Sequence, residues 1–280
     1  MLTSLLEQIS SYRALVIGDA ITDEYVYVRP QGKSPKENLI SNRIEHSEIF
    51  QGGVHAAARH LGSFCAKVDV RQGSYTITKR RFVEQTYLQK LFEVHESQWN
   101  LALEPEPEPL STYDLVIVTD FGHGCVTPQM IADMCLNARF LAVNAQTNSA
   151  NHGFNLITKY PHADYVVIDE LEARLAAHDR DRSIEYVIEA LGFKRIIVTL
   201  GPRGSIGYDG GKFVTVPALS HSVVDTMGAG DAFFCVTAPF AAAGADIETL
   251  CRIGNAAGAL KCGTVGHRQP VTREALLSYL

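Results

Sequence analysis

Short apolar runs rich in β-branched residues alternate with segments of helical periodicity along most of this sequence. Such alternation predicts a parallel β-sheet flanked by helices. The run at 115–118 is apolar throughout, as expected of a strand covered on both faces. The predicted core strands are 14–18, 66–70, 115–119, 140–143, 165–168 and 196–200. The predicted helices between them are 55–61, 128–137, 170–178 and 183–191.

The last third of the chain has a different pattern. Two extended runs, 205–209 and 212–216, flank a Gly-Gly pair and predict a hairpin. Two long helical segments follow, at about 229–243 and 247–261. The first of these is directly preceded by a glycine-rich loop.

Two extended segments break the alternation. The strand at 66–70 is followed after four residues by another extended run, 75–87, which is too close for a parallel crossover. We therefore expect the second run to leave the main sheet or to pair antiparallel. The segment 25–50 is also extended and polar. Together they predict a single domain over 1–280 with lid excursions at about 24–50 and 72–95, the alternative being an ordinary edge hairpin.

Composition excludes several classes of protein. The chain has 280 residues, is 46% hydrophobic and carries a net charge of −6, without the dense basic patch that nucleic-acid binding needs. No window approaches the roughly 18 apolar residues of a membrane span, and segment 1–12 lacks the features of a signal peptide. Six scattered cysteines without a CxxC pair indicate buried thiols in a reducing compartment. We expect a cytoplasmic protein. The Glu-Pro alternation at 104–109 predicts a stiff spacer.

The segment Asp225-Thr-Met-Gly-Ala-Gly-Asp231 carries the strongest chemical signal. Gly228 and Gly230 remove the Cβ atoms that would keep a ligand from the backbone. The amides of 228–231 then form an open helix N-terminus, which favours a phosphate group. Asp231, in the first turn, could cap the helix. It could equally accept the proton of a hydroxyl that attacks a phosphoryl group held there.

These motifs resemble those of the ribokinase-like (pfkB) carbohydrate kinases. The D-T-x-G-A-G-D segment is similar to their C-terminal signature, and GGVHAAARHLG (52–62) and GDAITD (18–23) are similar to their N-terminal motifs. Within that superfamily the sequence most resembles the heptose-7-phosphate kinase branch, in GDAITDEYVYV (18–28), GKSPKE (32–37), KRRFVEQTYLQKLFEV (79–94), DLVIVTDFGHG (114–124) and GNAAGAL (254–260). The resemblance implies a three-layer α/β sandwich with a mainly parallel central sheet and a small β lid. It also implies a single kinase domain.

The resemblance implies a role for each matching residue at the reacting centre. Asp231 is the catalytic base, and the amides of Gly228, Ala229 and Gly230 form the anion hole. Asp23 and the backbone of Gly52 and Gly53 hold the sugar.

The implied cofactors are ATP and Mg²⁺. Thr199, Gly201 and Gly204 match the segment that borders the nucleotide, although a hairpin turn would look the same. Asn255 and Gly258 match the helix beside the adenine pocket, with helix packing as the alternative. Asp169 and Glu172 match an element tied to Mg²⁺, in which Asp169 replaces an Asn. A first-turn helix acid is the alternative for Glu172.

Basic residues on the two lid segments suggest a site for a phosphate on the substrate. Lys33, Arg80 and Arg81 are the candidates, together with Arg29, Lys36 and Lys79. The alternative is a solvated charged strand. We therefore expect a sugar or sugar phosphate as the substrate, with a heptose 7-phosphate phosphorylated at C1 as the best match.

Three departures from the family pattern bear on this expectation. His55-Ala-Ala follows the glycine pair where relatives carry an Asn, Met227 replaces a Thr near a monovalent-cation site, and helical segments before 115 are missing. The alternatives are a kinase for another sugar or a nucleoside, or an inactive regulator that binds nucleotide or sugar. We expect neither nucleic acid nor membrane as a partner, and a homodimer through the lid is compatible with the sequence. Gly122-His-Gly124 lacks the second His of a nucleotidyltransferase motif.

Overall fold

The strands of the chain join into one mixed sheet. The computed structural model describes residues 2–96, 108–219 and 223–280. The strands are β1 (Arg13–Lys33), β2 (Ile40–Gly52), β3 (Lys67–Glu84), β4 (Gln89–Glu96), β5 (Leu115–Asp120), β6 (Leu141–Ala145), β7 (Tyr165–Asp169), β8 (Arg195–Thr199), β9 (Ser205–Asp209) and β10 (Lys212–Val216). Their order is β10-β9-β8-β7-β6-β5-β1-β3-β4, with β2 on β1. All neighbours from β8 to β3 are parallel, and the two hairpins at the ends and the β1–β2 pair are antiparallel.

Helices cover both faces of this sheet. They are α1 (Leu2–Ile9), α2 (Gly53–Leu61), α3 (Pro128–Asn137), α4 (Glu170–Ala176), α5 (Ile184–Leu191), α6 (Ala229–Ala242), α7 (Ile247–Cys262) and α8 (Arg273–Tyr279). Side chains alternate across each core strand. Leu115 and Ile117 of β5 pack with α1, α2, α6, α7 and α8, whereas Val116 and Val118 pack with α3, α4 and α5. The predicted three-layer α/β sandwich with a mainly parallel sheet is confirmed.

The extended run at 75–87 does not pair as expected. Residues 67–84 form one continuous strand, and β3 stays parallel to β1 from Lys67 to Glu84 across an irregularity opposite Gly18–Ala20. The expected antiparallel pairing is wrong, because β1 continues beyond the core and pairs with the outer half of β3 in parallel. No crossover is needed between two halves of one strand.

The outer parts of β1 and β3, with β2 and β4, form a four-stranded extension of the sheet, which we call the lid. β2 pairs with β1 from Ile21 to Lys33, and β4 pairs with β3 from Thr78 to Glu84. These strands occupy the two segments that the sequence assigned to a lid. A small apolar cluster joins the inner face of the lid to the loop after α7, through Tyr25, Phe50 and Val265.

Three further expectations concern membrane, cysteines and the spacer. Among the helices of the described ranges, none has the length and apolar character needed to cross a bilayer. All six cysteines are free thiols, and four of them are buried. Most of the predicted Glu-Pro spacer, residues 104–107, lies outside the described residues.

Candidate active site

The N-terminus of α6 is open toward a cavity. Gly228 precedes the helix in the left-handed conformation, with φ 72°, and no side chain caps the helix. The Ala229 amide donates to the Thr226 carbonyl at 3.3 Å, and the next bond in the series runs from Ala232 to Gly228. The amides of Gly230 and Asp231 have no acceptor among the described residues. A Cβ added at Gly230 would meet only open space, so a ligand can reach these amides.

The Asp231 carboxylate is hydrogen-bonded by a residue outside α6 and does not cap its own helix. Gln146, just beyond the end of β6, donates from Nε2 to Asp231 Oδ1 at 2.6 Å. Burial raises the pKa of Asp231, while the nearby His267 and the bond from Gln146 act in the opposite direction. Because no side chain caps α6, the capping alternative for Asp231 does not apply.

Asp23 forms the other side of the centre, on the inner face of the lid. Its carboxylate accepts a hydrogen bond from Arg81, and its Oδ2 lies 3.5 Å from His267 Nε2. Burial alone would raise its pKa, but the His267 hydrogen bond and the Arg81 charge hold the pKa below its ordinary value. Asp23 is therefore a carboxylate at neutral pH and an acceptor for hydroxyl groups.

The glycine pair after β2 lies against β1. A Cβ at Gly52 would collide with the Asp23 carboxylate, and one at Gly53, where φ is 55°, would collide with the Asp19 carbonyl. The two glycines thus let the β2–α2 turn approach the acidic residues of β1. Gly52 therefore lies beside Asp23, and Gly53 beside Asp19.

Asp169 and Glu172 form a capping box at the start of α4. Asp169 Oδ1 accepts from the Glu172 amide at 2.7 Å, and Glu172 Oε2 accepts from the Asp169 amide at 2.8 Å. The other oxygen of Glu172 accepts from the Thr147 amide at 2.8 Å. Both oxygens of Glu172 are thus occupied by backbone groups, whereas Asp169 is exposed. Glu172 thus holds the backbone of Asp169 and Thr147 through its two carboxylate oxygens.

A cavity of about 220 Å³ lies between the start of α4 and the start of α6. It is lined by the carboxyl ends of β6, β7 and β8 and by the start of α6, which is where open parallel sheets bind ligands. The lining residues are Asn144, Gln146, Thr147, Val167, Ile168, Asp169, Glu172, Thr199, Gly228, Gly230 and Asp231.

The remaining residues predicted to contact nucleotide divide into two groups. Thr199 lines the cavity, and Gly201, with φ 59°, has open space where its Cβ would be. Gly204 and Asn255 are structural: a Cβ at Gly204 would collide with the Val216 carbonyl, and Asn255 donates to the Val216 carbonyl at 3.1 Å. Asn255 also donates to the next carbonyl, at 3.0 Å.

Gly258 lies on α7 beside the start of α6. Its added Cβ would make only an ordinary contact of 3.7 Å with the Ala229 carbonyl oxygen. A small side chain would therefore fit there, in line with the helix-packing alternative.

The predicted cations do not converge on one anion. Arg81 reaches Asp23, but Arg80 is on the opposite face of β3 and pairs with Glu24 at 2.7 Å and Glu96 at 2.6 Å. Lys33 is exposed at the far end of β1, ten residues beyond Asp23, which is roughly 33 Å along an extended strand. The expectation fails for Arg80 because adjacent residues of a strand point to opposite faces. It fails for Lys33 because that residue lies too far along β1.

Gln146 and His267 stand at the site without having been singled out, whereas Lys79 was named only among the six lid cations. Gln146 follows a buried strand, and a polar residue at a strand's carboxyl end is a signal that could have revealed it. The two-residue period of β3 could have separated Lys79 and Arg81 from Arg80. Nothing in the spacing around His267 indicates its position.

Comparison with known proteins adds the family context. The family model described as pfkB family carbohydrate kinase matches residues 129–274. Relatives named bifunctional protein HldE include one from Geotalea uraniireducens, 22% identical over 308 residues, and one from Rhodopseudomonas palustris, 27% identical over 307. The alignments cover 94% and 92% of this chain, but only 62% and 61% of the relatives' own lengths.

Solved structures show the same fold. Arabidopsis thaliana ribokinase complexed with ribose and ATP superposes with a TM-score of 0.72 at 17% identity, over 96% of this chain and 98% of the other. A Burkholderia thailandensis nucleoside kinase in complex with inosine gives 0.68 at 16% identity, over 94% of each chain.

Proposed function

Since this chain belongs to the pfkB family of carbohydrate kinases, we propose that it transfers the γ-phosphoryl group of ATP to a hydroxyl group of a sugar or sugar phosphate. Asp231 is the proposed base, and the helix start at Gly228, Ala229 and Gly230, where the Gly230 amide is open, stabilises charge on the transferred group. Positioning and electrostatic stabilisation account for most of the catalysis in such transfers.

The observation that carries this proposal is the orientation of the Asp231 carboxylate. Asp231 lies in the first turn of the uncapped helix α6, and its carboxylate accepts a hydrogen bond from Gln146. The charges of His267 and Asp23 both act on its pKa. A hydroxyl bound by Asp23 can thus approach Asp231 from the lid side. The phosphoryl group would approach from the cavity, where Gly230 leaves the amides open.

The acceptor is proposed to bind between Asp23 and the Gly52–Gly53 turn. Asp23 is ionised and buried, and its bonds to Arg81 and His267 fix its orientation. Such a carboxylate accepts hydrogen bonds from sugar hydroxyls without having to be reorganised first.

The nucleotide is proposed to enter along Thr199 and Gly201. These residues leave the wall of the cavity open beside the α6 N-terminus. Gly204 and Asn255 would shape this wall by holding the chain after β10, and Gly258 by its small size.

The acidic residues suit a magnesium ion bound mainly through phosphates. Mg²⁺ retains several waters and uses one or two carboxylates. Asp169 has one oxygen that its cap hydrogen bond does not use, and would hold the ion directly or through water. Glu172 would keep Asp169 and the Thr147 segment in place. When bound, the ion neutralises charge on the phosphate oxygens.

The finer part of the proposal is the acceptor, a heptose 7-phosphate phosphorylated at its anomeric hydroxyl. Sequence motifs along nearly the whole chain and the similarity to the two HldE relatives support it. Another sugar or a nucleoside is the alternative acceptor, and an inactive binding protein is the alternative role. The ordered Asp231–Gln146 contact favours an active kinase over the inactive one.

ADP release measured against a panel of sugars, sugar phosphates and nucleosides tests the proposal. We expect ATP- and Mg²⁺-dependent turnover of one sugar class, and loss of that turnover in Asp231→Asn. Binding of ATP without turnover of any acceptor would contradict the kinase and favour the inactive protein. Preferential turnover of a nucleoside would contradict the heptose assignment.

A further inference from the structure

Lys79 is a lid lysine whose side chain is largely buried. It lies on the inner face of β3 and is only 7% exposed. Its Nζ lies 5.7 Å from the centre of the Phe121 ring and makes no hydrogen bond or ion pair within the described part of the chain. Burial is the main reason that its pKa is lowered. No ion pair in the described residues offsets its positive charge, and an anion bound in the cleft would do so.

The acids around Lys79 are already engaged. Asp23 is bound by Arg81 and His267, and Glu93 accepts from Ser149 Oγ at 2.6 Å and lies 3.3 Å from Arg81 Nε.

Asp19 accepts backbone hydrogen bonds, the shortest from the Phe121 amide at 3.1 Å. Its further bonds come from the His123 and Cys125 amides, each at 3.4 Å. The local acids therefore leave the Lys79 charge uncompensated at contact distance.

His123, whose pKa is affected by the charge of Lys79, has a side-chain nitrogen that forms no hydrogen bond in the described residues. It is 6% exposed, and its Nε2 is buried without a hydrogen-bond partner in the described residues. Tyr75 holds the His123 backbone by donating to its carbonyl oxygen. Burial, followed by the charge of Lys79, lowers the pKa of His123 to about 4, so the imidazole is neutral at pH 7.

The register of the lid ties this pair to the acceptor side of the cleft. Lys79 is the direct partner of Asp23 across the β3–β1 pair, and partners on neighbouring strands lie about 4.8 Å apart. Both side chains point to the inner face. A molecule in contact with Asp23 therefore extends toward Lys79.

We infer that Lys79 and His123 form an anion subsite that takes a phosphate monoester carried by the acceptor sugar. This inference rests on the proposed function. It assigns recognition of the substrate phosphate to Lys79 and His123 rather than to Lys33 and Arg80. The ammonium group offers three N–H donors and the neutral imidazole one, on two separate side chains, whereas a carboxylate presents two oxygens and a single negative charge. The three free oxygens of a phosphate ester match these donors better.

The test compares Lys79→Met with wild type, with Lys212→Met as the control. Methionine keeps most of the apolar stem and removes the charge, and Lys212 is an exposed strand lysine on β10. Each protein is titrated calorimetrically with heptose 7-phosphate, free heptose and a heptose-derived sugar acid, with a non-hydrolysable ATP analogue bound. We expect Lys79→Met to lose about 10- to 100-fold in affinity for the sugar phosphate alone. The control should retain wild-type affinities.

A variant that loses affinity for phosphorylated and free sugar equally, or for neither, would overturn the inference. A loss confined to the sugar acid would assign the subsite to a carboxylate and overturn the phosphate assignment.

A second measurement keeps the inference testable if no heptose is an acceptor. Inorganic phosphate, added with the nucleotide site filled, should raise the thermal midpoint of wild type and of Lys212→Met, but not that of Lys79→Met. Equal stabilisation of all three would overturn the subsite. Failure of turnover with phosphate stabilisation intact would instead contradict the proposed reaction.

Discussion

Lys90 Nζ lies 2.9 Å from Asp225 Oδ1, which joins strand β4 of the lid to the loop that precedes α6. The other oxygen of Asp225 accepts from Tyr25 at 2.8 Å and from the Gly266 amide at 2.9 Å. Burial would raise the pKa of Asp225, but these partners, Lys90 first, lower it to about 2. One carboxylate thus holds two lid strands and the loop after α7 against the segment that precedes α6.

Lys90→Met should therefore loosen the lid and the loop together. The lysine is about one-third exposed, so we expect a loss of only about 1–2 kcal/mol in the free energy of unfolding. A lowered pKa stabilises the fold above the ordinary Asp pKa, and that contribution is lost as pH falls toward 2. The difference between variant and wild type in denaturant unfolding should thus shrink between about pH 4 and pH 2. A difference that is constant over this range, or equal to that of Lys212→Met, would contradict the role of the ion pair.

Asp231→Asn should keep the fold and ATP binding while lowering kcat by about 10²–10⁴-fold, because the attacking hydroxyl loses its proton acceptor. In wild type, burial raises the pKa of Asp231, so kcat should fall on the acid side at a pH above the ordinary Asp range. Steady-state kinetics across pH give both results. Asp181→Asn, at an exposed loop position, is the matched control. Near-wild-type turnover of Asp231→Asn would remove this carboxylate from the mechanism.

Gly230→Val should weaken nucleotide binding more than it weakens the fold. The new side chain would project into the open space through which the phosphate reaches the amides of α6. Titration with ATP and thermal unfolding separate the two effects. Gly62→Val changes an exposed glycine with ordinary backbone angles and serves as the control. Unchanged ATP affinity and rate would show that this helix end is not the anion hole.

Asp23→Ala should raise KM for the sugar by about 10- to 100-fold and leave the affinity for ATP nearly unchanged. Arg81 would still have Glu93, at 3.3 Å, so its charge keeps a partner in the variant. Separate titrations with sugar and with ATP check the result. Equal losses of both affinities would mean that Asp23 acts by holding the lid rather than by binding the acceptor.

Strand and helix periodicity were sufficient to predict the layered core. The hairpin at 205–216 and the helix at 128–137 have the predicted bounds, because turn residues and a Thr-Pro start define their ends locally. The path of β3 could not be read in this way. It depends on the length of β1, which is a property of the partner strand.

The candidate site was predictable where the chemistry lies in one contiguous motif. The 225–231 segment carries its own glycines and carboxylates, so its local geometry follows from its composition. His267 could not be found, since only the packing of the loop after α7 brings it to 3.5 Å from Asp23. The role of Glu172 could not be predicted from the sequence, because its spacing from Asp169 fits both a magnesium-binding motif and a capping box.

Glu172→Gln separates those two roles. The amide keeps one acceptor oxygen but places an NH₂ group against a backbone N–H, so one of the bonds to Asp169 and Thr147 is lost. Leaving a buried donor unsatisfied typically costs about 1–3 kcal/mol of stability. We expect a lower free energy of unfolding and a reduced kcat, with the Mg²⁺ concentration for half-maximal rate unchanged.

Asp169→Asn is the matched variant for the metal. It keeps the side-chain oxygen that caps α4 but removes the negative charge from the exposed side of the cavity. We expect it to raise the Mg²⁺ requirement severalfold while costing little stability, since Asn is as good an N-cap residue as Asp. Rates measured as a function of Mg²⁺, together with denaturant unfolding, distinguish the two variants. If Glu172→Gln shifts the Mg²⁺ requirement and Asp169→Asn does not, Glu172 is the ligand and the capping bonds in this structure give way when the metal binds.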